Sequence, residues 1–319
     1  MPTWTSLTPD SVEQWAELVK VLAHHDDTGE FFEAEDLAEE LTEHGVDPAL
    51  DSWAVWDGEN LIGYGQLWVS DGLDPDGLAV AELNGGVHPR WRGRGVGTEL
   101  LARMQTRALT LARQRHPGAV VQLRTEGRDE GSDARPLLGD LGYRPMRYFT
   151  DMTCQLGDRP PRASSPATHS RGVTVRPFIP DLTEASRTAH NDAFATHWGS
   201  VPASPQRWAD VVGSRGFRPA DSRLAVDGEQ VLAYALTGEW SPRELHVMVL
   251  GTRQSARGRG LARLVLDEVV AAAADSGRYD LIELEVDSQN PTGAGALYTS
   301  VGFVPVRTSA TMVRTIAGE

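Results

Sequence analysis

The apolar residues of the chain follow a helical spacing in some stretches and form short strand-like runs in others. Stretches whose apolar residues recur three and four positions apart predict amphipathic helices, namely Val12–Ala23, Ala34–Leu41 and Asp181–Thr196. Two pairs of short apolar runs, each pair joined by Asp-Gly, predict β-hairpins, namely Ser52–Trp56 with Leu61–Trp68 and Arg223–Val226 with Gln230–Thr237. Helices and strands in this mixed order predict an α/β or α+β fold.

Each predicted hairpin is followed by the same series of elements: a strand, a glycine-containing loop, a long helix, a strand, a short helix and a last strand. The strand before the loop is predicted at Ala79–Val87 in the first half and at Leu245–Leu250 in the second. The loop recurs, because Arg92–Gly97 reads RGRGVG and Arg257–Ala262, 165 positions later, reads RGRGLA. This offset indicates a duplicated domain and not a solenoid, whose repeats are about 20–50 residues long.

The two halves meet at a stretch without apolar periodicity. Residues 158–172 read DRPPRASSPATHSRG, with three prolines and several small polar residues. Such a composition is typical of a linker. We therefore predict an N-terminal domain at residues 1–157, a linker at 158–171 and a C-terminal domain at 172–319.

The charge and the cysteine content exclude several classes of protein. Of the 319 residues, 45 are acidic and 30 are basic, which gives a net charge of −15. This charge argues against binding to nucleic acid, which requires a basic face, and against docking to an anionic membrane. The single cysteine, Cys154, excludes an internal disulfide and a cysteine-rich zinc site, and the histidines show no metal-ligand spacing.

The sequence also lacks the signals of export and of membrane insertion. No basic segment followed by an apolar run is found at the N-terminus, and no apolar run approaches the roughly 20 residues of a transmembrane helix. We therefore expect a cytoplasmic protein that uses no metal. The oligomeric state is left open by the sequence.

The loop between the strand and the long helix has the features of an anion site. Its glycines lack a Cβ, so the backbone can approach a ligand closely. The N–H groups at the start of a helix have no intrahelical partner and, with the helix dipole, attract phosphate, while arginines add charge-assisted hydrogen bonds. We expect a phosphate or pyrophosphate at both loops, which consist of Arg92, Gly93, Arg94, Gly95, Val96 and Gly97 and of Arg257, Gly258, Arg259, Gly260, Leu261 and Ala262.

A strand, then Arg/Gln-x-x-Gly-x-Gly/Ala, then a helix resembles the acetyl-CoA loop of the GNAT family of N-acetyltransferases. The first copy matches from Arg90 onwards, and the second departs at Ser255, where the family usually has Arg or Gln. The resemblance covers nearly the whole chain and implies two tandem GNAT domains, each a mixed, mostly antiparallel sheet flanked by helices. It also implies acetyl-CoA as co-substrate, with its pantetheine along the preceding strand at Val87 in one half and at Leu250, Gly251 and Thr252 in the other.

The two halves differ where the family performs catalysis. The second half contains Asn290 and then Leu-Tyr-x-x-x-Gly-Phe around Tyr298, which resembles the family element whose Asn fixes CoA and whose Tyr lies near its sulfur. A phenol can protonate the departing thiolate as a general acid. The first half aligns Glu130 and Leu138 with these positions, so we expect catalysis in the C-terminal domain. The N-terminal domain would hold acetyl-CoA without turnover or serve as a scaffold.

An acetyl acceptor must lose a proton from its amine, and the strand before the loop offers two candidate bases. A histidine side chain is suited to accept a proton near neutral pH, which makes His246 one candidate. Glu244, two positions earlier, lies on the same strand face, and the sequence leaves the choice open. Glu82 is the counterpart in the first half, without an acid partner. Backbone N–H groups around Leu250 to Thr252 are candidates to stabilise the oxyanion.

The acceptor pocket is expected near the end of the first helix of the second half. The resemblance places this pocket at Thr188–Trp198, where Phe194, His197 and Trp198 are candidate lining residues. The alternative is that these aromatic side chains belong to the core.

The expected activity is the transfer of an acetyl group from acetyl-CoA to a primary amine of a small molecule. The acidic charge favours a cationic acceptor such as an amino sugar. A narrower resemblance, based on length, duplication and the second-half motif, is to mycothiol synthases, which would imply desacetylmycothiol as the acceptor. A third hypothesis is a degenerate pair of domains that binds or senses acyl-CoA without turnover; the presence of Asn290 and Tyr298 favours an enzyme.

Overall fold

The structure, a computed structural model, describes residues 1–29, 31–128, 131–157, 168–169, 172–290 and 292–318. The chain forms two units: unit 1 contains Met1–Arg147 and Ser309–Glu319, and unit 2 contains Tyr148–Thr308. Within the described residues, no helix combines the length and the apolar character that crossing a membrane requires.

Unit 1 is a sheet with helices on both faces. Its strands, in spatial order, are β1 (Thr3–Thr5), β2 (Ser52–Asp57), β3 (Asn60–Leu73), β4 (Ala79–Val87), β5 (Val121–Glu126) and the last part of β13 (Val304–Ile316). Among these strands, as far as the structure describes them, only the pair β4–β5 is parallel. The helices are α1 (Val12–Asp26), α2 (Ala34–Glu40), α3 (Pro48–Asp51), α4 (Val96–Arg115) and α5 (Ala134–Asp140).

The helices of unit 1 lie where their apolar stripes can be buried. Along α4 the buried residues recur at helical spacing, as predicted, and pack on one face of the sheet; they include Val96, Leu100, Met104 and Ala108. On the other face, Trp15 and Leu22 of α1 pack with Leu37 of α2. The two faces therefore have separate apolar cores.

Unit 2 has the same plan. Its strands, in spatial order, are the last part of β6 (Arg144–Gln155), β12 (Leu281–Asp287), β11 (Glu244–Thr252), β10 (Gln230–Gly238), β9 (Arg223–Asp227), β8 (Val173–Pro177) and β7 (Thr168–His169). Only β11–β12 is parallel. The helices are α6 (Thr183–Ala193), α7 (Pro205–Gly213), α8 (Leu261–Ser276) and α9 (Ala294–Val301). The predicted mixed, mostly antiparallel fold is confirmed.

Each unit takes its last strand from the other half of the sequence. Strand β6 supplies Tyr148–Gln155 to the sheet of unit 2, where it pairs with β12, and β13 supplies Ser309–Ile316 to unit 1, where it pairs with β5. The units therefore differ from the predicted domains, whose boundary was placed in the linker at 158–171. Of that linker, only residues 168–169 lie within the described residues.

The predicted elements recur with small shifts, and some were missed. The helix expected at Asp181–Thr196 is a short 3-10 turn at Pro180–Leu182 followed by α6, which ends at Ala193. Helix α7 and strands β1 and β8 were not predicted, because they are short or carry too few apolar residues to show a period.

Candidate active site

Strands β11 and β12 separate before they end, and this separation opens a cleft in unit 2. Their parallel pairing covers three positions, from Glu244 opposite Leu281 to His246 opposite Glu283. Beyond His246, β11 stays paired with β10 and β12 stays paired with β6. The vertex of the cleft is therefore the pair His246–Glu283, and the backbone edge of β11 beyond it is available to an extended ligand.

A β-bulge lies next to this vertex. Leu236 of β10 is opposite Val249, while the next residue, Thr237, is opposite Val247. Met248 is therefore the extra residue on β11. A bulge bends a strand and increases its twist, and this one lies directly after the last residue of β11 that pairs with β12.

The predicted anion loop follows β11 and leads into α8. Gly258 and Gly260 have φ values of +73° and +75°, and a Cβ at either position would meet no other atom within 4 Å. Gly260 is the N-cap of α8, which begins at Leu261. The loop therefore has left-handed backbone at both glycines and open space in front of them, which suits a bound phosphate.

The first arginine of each loop is engaged within the protein. Arg257 donates through Nη2 to the carbonyl of Ala193 at 2.8 Å. In unit 1, Arg92 forms a bidentate pair with Asp26, at 2.7 and 2.6 Å. Both side chains tie the loop to the first helix segment of their unit, and the contact of Arg92 and Arg257 with phosphate stays a prediction.

The other predicted loop and strand residues lie at corresponding positions of the two units. Leu250, Gly251 and Thr252 end β11, opposite Ala235, Tyr234 and Ala233. Gly251 has a specific reason to be glycine, because a Cβ there would lie 2.5 Å from the Tyr234 hydroxyl. Arg259 and Ala262 flank Gly260, and in unit 1 Val87 ends β4 while Arg94, Gly95, Val96 and Gly97 lead into α4.

Tyr298 lies on α9 in the core of unit 2. Its side chain is 7% exposed and its ring contacts Phe303, with the ring centroids 6.0 Å apart. Burial raises the pKa of Tyr298 to about 12, so the hydroxyl keeps its proton at neutral pH and is a donor. In unit 1, Leu138 on α5 is buried in the core and has no such group.

Asn290 shapes the turn between β12 and α9. Its Oδ1 accepts hydrogen bonds from the N–H and the hydroxyl of Thr292, at 2.9 and 2.6 Å. Its side-chain amide nitrogen has no hydrogen bond within the described part of the chain. Pro291, and Glu130 at the aligned position of unit 1, lie outside the described residues.

Both candidate bases lie on the face of β11 opposite the core that contains Leu245 and Val247. His246 is at the vertex, with Nδ1 3.2 Å from Oε1 of Glu283. Glu244 lies two pairs deeper in the sheet. Burial, together with the Glu283 carboxylate, raises the pKa of Glu244.

Glu283 was missed as a site residue in the sequence. Its alternation with the buried Ile282 and Leu284 marked it only as a residue on the polar face of a strand. The parallel register is what places it beside His246, and register between strands that are separated by a helix cannot be read from spacing.

The candidate acceptor residues follow α6, in a turn and not in the helix that was expected at Thr188–Trp198. The ring of Phe194 packs between His190 and His197, with centroids 4.8 and 5.4 Å away. His197 Nδ1 is 3.1 Å from the carbonyl oxygen of Trp198, and its Nε2 lies 4.0 Å from Asp287 at the end of β12. Phe194 is thus partly a core residue, whereas His197 reaches the open end of β12.

The corresponding vertex in unit 1 is formed by different residues. The last parallel pair there is Glu82 opposite Arg124, with Arg124 Nη1 3.6 Å from the Glu82 carboxylate and Nη2 3.4 Å from that of Asp74. Arg124 is buried. A guanidinium therefore engages the counterpart of the candidate base.

Within the described residues, no group of three or more His, Cys, Asp and Glu side chains is arranged to hold a metal ion.

One family model matches both halves of the chain. The model of the acetyltransferase (GNAT) family matches residues 15–127 and 183–303. A mycothiol acetyltransferase of Streptomyces scabiei is 33% identical over 253 residues, which cover 79% of this chain and 75% of the relative. A mycothiol acetyltransferase of Tsukamurella paurometabola is 32% identical over 231 residues, which cover 68% and 72%.

Solved structures agree over the whole chain. A GCN5-related N-acetyltransferase from Sphaerobacter thermophilus matches with a TM-score of 0.75 at 24% identity and covers 99% of this chain and 96% of its own. A tandem GNAT protein from the clavulanic acid biosynthesis pathway matches with a TM-score of 0.72 at 18% identity, covering 99% and 98%. At these identities the likeness shows the fold alone.

Proposed function

Since the chain belongs to the acetyltransferase (GNAT) family and is an enzyme that transfers an acetyl group from acetyl-CoA to an amine, we propose that unit 2 performs this reaction on a small-molecule primary amine. The predicted tandem GNAT organisation is confirmed. The observation that carries the assignment to unit 2 is the contrast at the two vertices: His246 with Glu283 in unit 2, and Glu82 with Arg124 in unit 1.

The residues around the cleft of unit 2 fit acetyl-CoA. The left-handed Gly258 and Gly260, with open space where a Cβ would lie, provide a cradle for the pyrophosphate at the start of α8. The edge of β11 beyond His246 is available for hydrogen bonds to the pantetheine amides. N–H groups around Leu250 to Thr252 are proposed donors to the carbonyl oxygen as it becomes an oxyanion.

The proton transfers are assigned to side chains on the two faces of the sheet. His246, or Glu244 two pairs deeper, takes a proton from the acceptor ammonium, and the neutral nitrogen then forms a bond to the acetyl carbon. The carbon–sulfur bond breaks as the tetrahedral intermediate collapses, and Tyr298 donates its proton to the CoA thiolate. The surplus proton that the nitrogen still carries restores the Tyr298 hydroxyl, and the base releases its proton to solvent. The raised pKa of Tyr298 keeps this acid protonated until the thiolate forms.

A specific candidate acceptor is desacetylmycothiol. It is supported by the relatives named mycothiol acetyltransferase, which match about three quarters of both chains. An amino sugar is the second candidate, because the chain carries a net charge of −15. If the units bind CoA but no amine is acetylated, the hypothesis of a binding pair without turnover would hold.

The test is an acetyl-transfer assay across a panel of primary amines that includes desacetylmycothiol, amino sugars and simple diamines. The acetylated product is followed by mass spectrometry. A reagent that detects the thiol of released CoA would also react with an acceptor that is itself a thiol, such as desacetylmycothiol. We expect one acceptor class to be turned over with saturable kinetics. Binding of acetyl-CoA without product from any amine would contradict the proposal.

A further inference from the structure

The pair at the vertex of the unit 2 cleft has the geometry of a base and the group that orients it. His246 and Glu283 are directly opposite each other on parallel strands, at the last paired position. The distance from Nδ1 of His246 to Oε1 of Glu283 is 3.2 Å. An ionised carboxylate can only accept a hydrogen bond, so a hydrogen bond from His246 to an ionised Glu283 requires the hydrogen on Nδ1.

We propose that Glu283 is a positioning residue that holds His246 in the tautomer with a bare Nε2, ready to accept the proton of the acceptor amine. This inference rests on the proposed function and chooses between its two candidate bases. A neutral imidazole carries one N–H and one lone pair, and the partner of one nitrogen decides which is which. Glu283 thereby commits the lone pair to Nε2.

Trp240 restrains the histidine ring from another side. The centroids of the two rings are 6.0 Å apart, with the planes at 77° to each other. Trp240 is itself held in place, because a Cβ at Gly216 or at Gly238 would overlap its indole ring. Both glycines therefore leave room for the indole, whose edge-to-face contact favours one orientation of the imidazole.

The position of Glu244 explains why His246 is the better placed base. Glu244 is opposite Leu281, two pairs further from the opening than His246. Its carboxylate lies close enough to Glu283 for the two negative charges to raise the pKa of Glu244, in addition to the effect of burial. A carboxylate in that position increases the local negative charge and attracts an ammonium to the vertex, while His246 accepts the proton.

A double-mutant cycle tests the assignment in the full-length protein. We expect Glu283→Gln to lower kcat/KM for the acceptor about tenfold, with the Kd for acetyl-CoA unchanged. In a His246→Gln background, Glu283→Gln should have no further effect, because the group that it positions is gone. A matched control is Glu285→Gln, the next exposed carboxylate on the same face of β12, which should leave kcat/KM within about twofold.

An equal loss from Glu283→Gln in both backgrounds would mean that Glu283 acts independently of His246 and would overturn the proposal. The ring nitrogens of His246 supply a second readout that needs no acceptor. In 15N NMR at a pH where the ring is neutral, assigned by comparison with His246→Gln, the wild-type ring should be protonated at Nδ1, and Glu283→Leu should abolish that preference.

A wild-type ring protonated at Nε2 would also overturn the proposal, whatever the activity. If no amine were acetylated but the ring were protonated at Nδ1 only while Glu283 is present, the proposed function would fail and the positioning of His246 would stand. The two failures are therefore distinguishable.

Discussion

Glu82 and Arg124 form the last parallel pair of unit 1, 3.6 Å apart, at the position where unit 2 has His246 and Glu283. A guanidinium only donates hydrogen bonds, so Arg124 cannot take the place of the acceptor Glu283 beside a histidine. With Leu138 at the aligned position of Tyr298, unit 1 lacks counterparts of the His246–Glu283 pair and of the acid that we propose for unit 2.

Arg124 is expected to stabilise unit 1 without a role in turnover. Its guanidinium and the Asp74 carboxylate are both almost completely buried and lie 3.4 Å apart. Arg124→Met leaves the Asp74 charge buried without this partner, which costs about 3–5 kcal/mol. We expect urea unfolding to show this loss, whereas Arg103→Met, at the exposed pair with Glu99, should cost about 1 kcal/mol or less. A loss of the same size at both sites would contradict this account.

Tyr298→Phe should reduce kcat while leaving the affinity for acetyl-CoA unchanged. The substitution removes only the hydroxyl oxygen, which forms no hydrogen bond within the described part of the chain, and it keeps the ring contact with Phe303. General acid catalysis contributes about 10²–10⁴ in rate, so steady-state kinetics should show a fall of that size in kcat. A kcat within about threefold of the parent would assign Tyr298 to the core alone.

Gly258 should be required for acetyl-CoA binding because it has no side chain, and not only because it adopts a left-handed backbone conformation. Gly258→Ala introduces strain at φ +73°, about 1–2 kcal/mol, and places a methyl group where the phosphate is expected. Gly277→Ala is the matched control, because Gly277 ends the same helix at φ +63° and also has open space around it. Calorimetry should show that acetyl-CoA binding to unit 2 is lost only in the first variant; equal affinities would contradict the loop assignment.

The corresponding glycine of unit 1, Gly93, tests which unit turns over. Gly93 has φ +71° with open space around it, so Gly93→Ala carries the same strain as Gly258→Ala. We expect acetyl transfer to survive in the unit 1 variant and to be lost in the unit 2 variant. The reverse result would place catalysis in unit 1.

His190 should make the protein less stable as the pH falls. Burial lowers the pKa of His190 to about 4, while an unfolded histidine titrates near 6.5. Between these values the unfolded state binds more protons, so stability is fully present above pH 6.5 and is lost as the pH falls towards 4. Between pH 7 and 5 the loss should be about 2 kcal/mol, at 1.36 kcal/mol per pH unit.

His190→Gln should flatten this pH dependence, because the amide does not titrate yet can still bond with the Tyr234 hydroxyl, which lies 2.8 Å from Nδ1. The measurement is denaturant unfolding at pH 7 and pH 5. His25→Gln, at an exposed position, is the control and should retain the slope. An unchanged slope in His190→Gln would mean that other groups cause the acid loss.

Much of the fold follows from local sequence patterns. The stripe of α4, the Asp-Gly hairpins and the glycines of the two loops each depend on residues a few positions apart, and the structure has them where the sequence predicts them. The exchange of β6 and β13 could not be predicted in this way. Each half could have completed its sheet with its own last strand. The apolar pattern of that strand would be the same whether it stayed with its own half or was exchanged.

The candidate site also has some features that local sequence predicts and others that depend on tertiary structure. By itself, the sequence predicted the anion loops, because glycines and helix starts are local features, and it offered two candidate bases on one strand face. The acid candidate Tyr298 came from the resemblance of its motif to the GNAT family. Only the tertiary structure decided that Glu283 lies beside His246, that Arg124 lies beside Glu82, and that Arg92 and Arg257 bond to the first helix segment of their unit. These contacts join residues 37 to 66 positions apart, and such distant pairs are set by how helices and strands pack together and not by local spacing.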